Sequence, residues 1–195
     1  MKLIAQGAEA KLFRNNNILI KDRIPKSYRI QEIDVQLRRH RTKVESHILQ
    51  KLGKLGLAVP KLIDTDETQK ISMDFIKGDK VSEILDAKNV SKLCKEIGQK
   101  LRVMHDNHII HGDLTTSNMI LEKEIYFVDF GLSYESQKIE DMAVDLHLFR
   151  QTLESKHNTV YEKGFKAFLS GYGNKDVIDR LGIVEKRGRY KRKNH

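Results

Sequence analysis

His111-Gly112-Asp113-Leu114-Thr115-Thr116-Ser117-Asn118, with Asp129-Phe130-Gly131 beginning eleven residues after Asn118, decides how the rest of the chain is read. Phosphoryl transfer needs a carboxylate near the attacking oxygen, and hard oxygen ligands that hold magnesium against the phosphates. Asp113, Asn118 and Asp129 supply that set: Asp113 as the base, Asn118 and Asp129 as the metal ligands. Between them, residues 119–121 and 125–128 are short apolar runs of strand character, so one polar loop precedes a short hairpin and the other follows it. Each piece has an ordinary structural alternative, since Asp113 also suits a turn and Asp129-Phe130-Gly131 also suits a strand end. The combination at this spacing is what carries the chemistry.

The order resembles the catalytic loop and metal loop of protein kinases, and that resemblance directs attention upstream. Lys21 closes the apolar strand Ile18-Leu19-Ile20 and fits the lysine that contacts the ATP phosphates. Its expected partner is Glu45, 24 residues on, which shares a helical face with Ile48, Leu49, Leu52 and Leu55 and would be costly to bury unpaired. Glu32 and Asp34, near the start of the same helix, are the alternatives, because acids there also suit the helix dipole. Gln6 and the turn Gly7-Ala8-Glu9-Ala10, the latter beginning fourteen residues before Lys21, take the place of a glycine-rich lid over the phosphates, although one glycine remains of the usual three. Met73-Asp74-Phe75-Ile76, just before Gly78, occupies the position of a hinge whose backbone would bond adenine. Asp145 lies on the apolar stripe of a later helix. There it would fix the catalytic-loop backbone, unless it sits exposed at the edge of the stripe.

Composition bounds the rest. The chain has 195 residues, 39% hydrophobic and 32% charged, which excludes both disorder-like and membrane-like composition. The first residues lack a signal-peptide core and no apolar stretch approaches a membrane span, so a cytoplasmic protein without membrane contact is expected. Cys94 is the only cysteine, which rules out an intrachain disulfide and a cysteine-based zinc site. The net charge of +9 is uneven. Residues 21–43 hold eight Lys/Arg against three Asp/Glu, and residues 186–195 hold six Lys/Arg and no acid. Two basic segments flank a nearly neutral body, a distribution that suits contact with a polyanion at defined places.

Strand patterning at residues 2–6, 11–14 and 18–21, then at 61–64 and 70–76, surrounds one long helix over 30–55. Beyond Gly78 the pattern is mainly helical, with Val90, Leu93, Cys94, Ile97, Leu101 and Met104 marking one buried face and Met142, Leu146, Phe149 and Leu153 another. The fold class expected is α+β, a minimal bilobal protein-kinase-like fold. Its N-terminal lobe, 1–76, is an antiparallel sheet with one long helix. Its mostly helical C-terminal lobe, 77–185, carries the catalytic and metal loops, and a basic tail follows at 186–195. A cleft between two such unlike lobes would hold ATP and Mg2+.

Departures from regulated kinases narrow the family. Gly112 stands where an arginine would pair with a phosphorylated loop, and no proline follows Pro60, so an Ala-Pro-Glu element cannot exist. Catalytic apparatus is present and a generic peptide-docking platform is not. The segment Lys21, Arg23, Lys26, Tyr28, Arg29, Asp34, Leu37, Arg41-Thr42 and Glu45 resembles the signature of the kinase subunit of the KEOPS complex, a family of very short atypical kinases. So do the Gly-Ala-Glu-Ala turn, the His-Gly-Asp-Leu-Thr-Thr-Ser-Asn loop, Val128-Asp129-Phe130-Gly131-Leu132, Ala143-Val144-Asp145-Leu146 and Arg187-Gly188-Arg189. Gln31 departs from that pattern, standing where the family usually has proline.

The resemblance implies a serine/threonine kinase-like protein acting mainly as a Mg2+-dependent ATPase in a complex that makes threonylcarbamoyladenosine at position 37 of tRNA. It implies as partners the threonylcarbamoyl-transferase subunit, a small subunit docking on the N-terminal lobe, and tRNA met through the basic N-lobe segment and the C-terminal tail. A small-molecule phosphotransferase and a RIO-like ribosome-associated kinase share the His-Gly-Asp loop and stand as alternatives.

Overall fold

The computed structural model describes residues 1–192, with side chains described through residue 187. It divides into two compact units, the first made of Met1–Gly78 and Tyr126–Ser133, the second of Asp79–Ile125 and Tyr134–His195.

In the first unit, β1 (Lys2–Gln6), β2 (Ala10–Asn15) and β3 (Ile18–Arg23) form an antiparallel meander, and β4 (Leu62–Thr65) and β5 (Lys70–Asp74) complete a five-stranded sheet of order β1-β2-β3-β5-β4. The β2–β3 hairpin turns at Asn16, whose φ of 54° lies in the left-handed region that asparagine tolerates. Register follows from that turn, with Leu12 opposite Lys21 and Lys21 opposite Ile71 on the other side. Helix α1 (Gln31–Lys54) starts without a side-chain cap, but Glu32 and Asp34 in its first turn complement the dipole. It begins at Gln31 itself, so the missing proline does not displace its start. It stops because Gly56 adopts a φ of 75°, and Leu57 N–H then bonds back to Leu52 O at 3.1 Å. Ile48, Leu49 and Leu52 are buried on this helix together with Ile71 and Met73 of β5, while Leu55, expected on the same face, caps the helix and is exposed.

In the second unit, β6 (Asp79–Lys80) pairs with β8 (Met119–Leu121), and β7 (Ile109–Ile110) pairs with β10 (Tyr134–Glu135). A 3-10 turn, Thr116–Asn118, precedes β8, and within β9 (Ile125–Phe127) the chain returns to the first unit. The body is helical: α2 (Val81–Ile84), α3 (Val90–Asp106), α4 (Ile139–Lys156), α5 (Tyr161–Tyr172) and α6 (Lys175–Arg192). Helices α3 and α5 approach so closely that glycine is obligatory at the crossing. A Cβ on Gly98 would lie 2.1 Å from Phe168 O, and one on Gly171 would lie 2.1 Å from Lys95 O. Buried Cys94 on α3 has its thiol pushed up to about 12 by desolvation, so it behaves as a small apolar residue.

Residues 126–133, which include the metal loop, group with the first unit, where Phe127 N–H donates to Ala58 O at 3.1 Å and Asp129 is bonded to Lys21. The segment expected as a separate tail from residue 186 continues α6 to Arg192, and Arg187 pairs with Glu140 at 2.7 Å. Residues 193–195, the end of that expected tail, lie outside the described residues. No helix among the described residues is long and apolar enough to cross a membrane.

Candidate active site

Strand alternation puts Lys21 and Arg23 on the same face of β3, and both are buried. Helical spacing puts Glu45, 1% exposed, on the apolar face of α1. The three meet. Lys21 Nζ donates to Glu45 Oε1 at 2.9 Å, and Arg23 Nη2 donates to Glu45 Oε2. Lys21 Nζ also donates to Asp129 Oδ1 at 2.7 Å, which brings the metal-loop carboxylate into the same cluster. Two cations and two carboxylates thus balance, the condition under which buried charge is tolerable. Neither alternative partner of Lys21 is used: Asp34 is bonded to Arg38 at 2.7 Å and to Arg29 at 3.5 Å, and Glu32 is exposed. Asp129 takes a φ of 64°, uncommon for a residue with a side chain. Burial opposes its charged form, but Lys21, Arg23 and the Gly131 N–H outweigh that and hold its carboxyl below the usual carboxylate range.

The turn expected as a phosphate lid follows Gln6, which pairs with Lys11, and closes on Gly7 N–H donating to Ala10 O at 3.0 Å. Glu9 within it receives Arg29 on Oε1 at 3.1 Å and Arg41 on Oε2 at 2.9 Å. These bonds reveal what the basic segment does. Of its eight cations, Lys21, Arg23, Arg29, Arg38, Arg41 and Lys43 all have carboxylate partners inside the first unit. In the stretch expected as a hinge, Met73 is paired in β5, Asp74 N–H donates to Lys61 O at 3.0 Å and Phe75 N–H donates to Asn17 O at 2.8 Å. Ile76 follows, two residues before the chain passes into the second unit.

The other group of candidates lies in the second unit. Asn118 Nδ2 donates to Asp113 Oδ2 at 2.8 Å and to Asp113 O at 3.0 Å, so the side chains of Asn118 and Asp113 are set against each other. The loop below them hangs on Asp145, which is fully buried and accepts the N–H of His111 at 2.6 Å and of Gly112 at 2.9 Å. His105 Nε2 lies 3.2 Å from Asp145 Oδ2, and its Nδ1 lies 2.8 Å from Tyr172 Oη. Gly112 takes a φ of 77°, so this position requires glycine for backbone reasons besides lacking a side chain to pair with. Thr116 Oγ1, 3.1 Å from His157 Nε2, pins the far end of the loop.

The residues present suit magnesium. Asn118 makes both of its bonds to Asp113 from Nδ2, which leaves its Oδ1 as an oxygen donor, and Asp129, separately, is ionised and half-exposed. The structure brings Lys21 together with Glu45 and Asp129, and Asp113 together with Asn118. Sequence reasoning missed Arg23, Arg29 and Arg41 as partners of site carboxylates, and His105, Tyr172 and His157 as supports. For Arg23 a signal existed, since it stands two residues after Lys21 on one strand.

Comparison with known proteins gives the family and the fold. The RIO domain profile matches residues 9–166. The KEOPS complex subunit Bud32 of Pyrococcus abyssi is 38% identical, over 98% of this chain and 97% of its own length. A probable bifunctional tRNA threonylcarbamoyladenosine biosynthesis protein of Methanobrevibacter smithii is 41% identical over 96% of this chain, which spans 36% of that longer protein. Among solved structures, the Rio2 kinase of Chaetomium thermophilum in its ADP/Mg2+-phosphoaspartate complex aligns with a TM-score of 0.68 at 12% identity, covering 98% of this chain and 72% of that one. At that identity the likeness establishes the protein-kinase-like fold.

Proposed function

The chain belongs to the RIO-domain family, within it to the Bud32 group, and from that premise we propose that it is an atypical serine/threonine kinase and ATPase that uses Mg-ATP within the KEOPS complex for the threonylcarbamoyladenosine modification of tRNA. The observation that carries this reading is Lys21 held between Glu45 and Asp129, at 2.9 and 2.7 Å. A lysine so placed can pass its N–H donors to phosphate oxygens while Glu45 keeps it aligned. Asp129 and Asn118 Oδ1 are the proposed magnesium ligands, and Gln6 with Gly7-Ala8-Glu9-Ala10 the cover of the phosphates. Met73-Asp74-Phe75-Ile76 is the proposed adenine-side backbone. Bound magnesium supplies positive charge against the phosphate oxygens. Asp113 is the base that takes the proton of the attacking hydroxyl or water, with Asn118 on its Oδ2 to orient it. Helix α4 begins eight residues after Gly131, which leaves no length for a peptide-docking segment and favours water or a narrow acceptor.

The proposed partners are the threonylcarbamoyl-transferase subunit, a small subunit on the first unit, and tRNA. Because six cations of the 21–43 segment are paired internally, the proposed tRNA contact falls more heavily on exposed Lys186 and on the basic residues after it. The cytoplasm is the proposed compartment.

The test is ATP hydrolysis and tRNA modification by the reconstituted complex carrying Asp129→Ala. Loss of magnesium-dependent turnover and of modification, with melting within a few degrees of wild type, is expected. Normal turnover by the folded variant rejects the assignment.

A further inference from the structure

Arg23 is the second cation of the cluster, the one that lets a single Lys21 serve both Glu45 and Asp129; it is only 4% exposed and occupies a position with two distinct neighbours. On one side its Nη2 donates to Glu45 Oε2 and lies 3.5 Å from Arg41 O at the middle of α1. On the other it fills the space beside the metal loop. A Cβ placed on Gly131 would sit 2.7 Å from Arg23 Nη2, 3.3 Å from Nη1 and 3.4 Å from Cζ. The guanidinium is therefore the wall against which the backbone two residues after Asp129 rests. The position is also a demanding one, because Arg23 Nε is buried without a hydrogen-bond partner among the described residues. A planar, permanently charged head with two usable edges is what such a bridge requires, and lysine lacks it.

Resting on the reading of Asp129 as a magnesium ligand, we propose that Arg23 is a positioning residue that couples Glu45 on α1 to the metal loop at Gly131, and so sets the backbone from which Asp129 presents its carboxylate. Lys21 acts on the nucleotide directly; Arg23 acts on Asp129 through the packing of Gly131. The absence of a side chain at Gly131 is then a consequence of Arg23, and the two positions must change together.

The coupling is tested in the full chain with Arg23→Met, Arg23→Lys, Gly131→Ala and the Arg23→Met/Gly131→Ala double variant. Two readouts are used: thermal melting without ligand, and the magnesium concentration that half-saturates ADP binding, followed by titration calorimetry. Arg23→Met and Gly131→Ala should each raise that concentration about 10-fold, the scale on which groups behind metal ligands act. ADP affinity at saturating magnesium should move less than about twofold, because Lys21 is intact. The double variant should be no worse than Arg23→Met alone in either readout, since the alanine methyl enters space that the guanidinium has left. Arg23→Lys should fall between wild type and Arg23→Met, and it carries the test if the methionine variant does not fold. Additive melting shifts would overturn the contact. Coupled melting with unchanged magnesium dependence would overturn the positioning role and leave Arg23 as core filling. A wild-type chain that binds ADP with magnesium but does not turn ATP over counts against the proposed activity alone, and the melting cycle and the calorimetry still decide the role of Arg23.

Discussion

The two groups of candidate residues are built from different forces. In the first unit Lys21, Arg23, Glu45 and Asp129 are held almost entirely by charge on charge, with both cations and Glu45 buried. In the second, Asp113 and Asn118 sit on a loop held by backbone amides, with the N–H groups of His111 and Gly112 aimed at the single carboxylate of Asp145. A balanced charge cluster can exchange partners when a ligand arrives, because Lys21 and Glu45 each already have two ionic partners. A loop fixed by its own backbone presents the Asp113 carboxylate in one position and has nothing to exchange. In the proposed function the first group therefore serves binding and the second chemistry.

That contrast can be broken by removing one carboxylate from each side. Glu45→Gln leaves Arg23 without its anion and Lys21 with Asp129 alone, so a destabilisation of about 3–5 kcal/mol is expected in denaturant melts, the usual cost of orphaning a buried charge. Asp145→Ala orphans the buried amide of His111 and the part-buried amide of Gly112, both uncharged, and should cost less, about 1–3 kcal/mol. It should also depress turnover more than ATP affinity. Equal effects of the two variants on affinity would erase the distinction between the groups.

Acidity sharpens the same contrast with a smaller effect. His157, bonded to Thr116 in the catalytic loop, has its pKa lowered from 6.5 by burial and by neighbouring Lys156. A folded pKa below the unfolded one means that stability is complete above pH 6.5 and falls as the pH drops from 6.5 toward the lowered value. The carboxyl of Asp129 is likewise held below its ordinary 3.8, so its contribution persists until the pH falls under about 4. Melting between pH 7 and 5 should therefore weaken in a way that His157→Gln removes and Asp129→Asn does not. A wild-type chain with flat stability over that range contradicts this assignment.

Much of this was legible in the sequence because the decisive residues sit in strongly patterned elements. The kinase-like loop spacing directed attention to Lys21 at the end of its strand, and the helical stripe of α1 singled out Glu45, which bonds to it at 2.9 Å. The two-residue strands β6, β7 and β10 are too short to carry any period, so they were invisible. The ion pairs of the basic segment were hidden for a different reason. Charge counts register Arg29 and Arg41 as excess cations, whereas the fold supplies Glu9 from a turn that no local window connects to them. His105 and Tyr172, 67 residues apart, meet only because α3 and α5 cross on glycines.

The most direct measurement of the central claim is ATP affinity and single-turnover rate in Asp113→Asn, measured beside wild type. Affinity for Mg-ATP should stay within about twofold while the rate falls about 10²- to 10⁴-fold, the range of a general base. A variant that loses affinity and keeps its rate would contradict the assignment of chemistry to the loop that Asp145 holds.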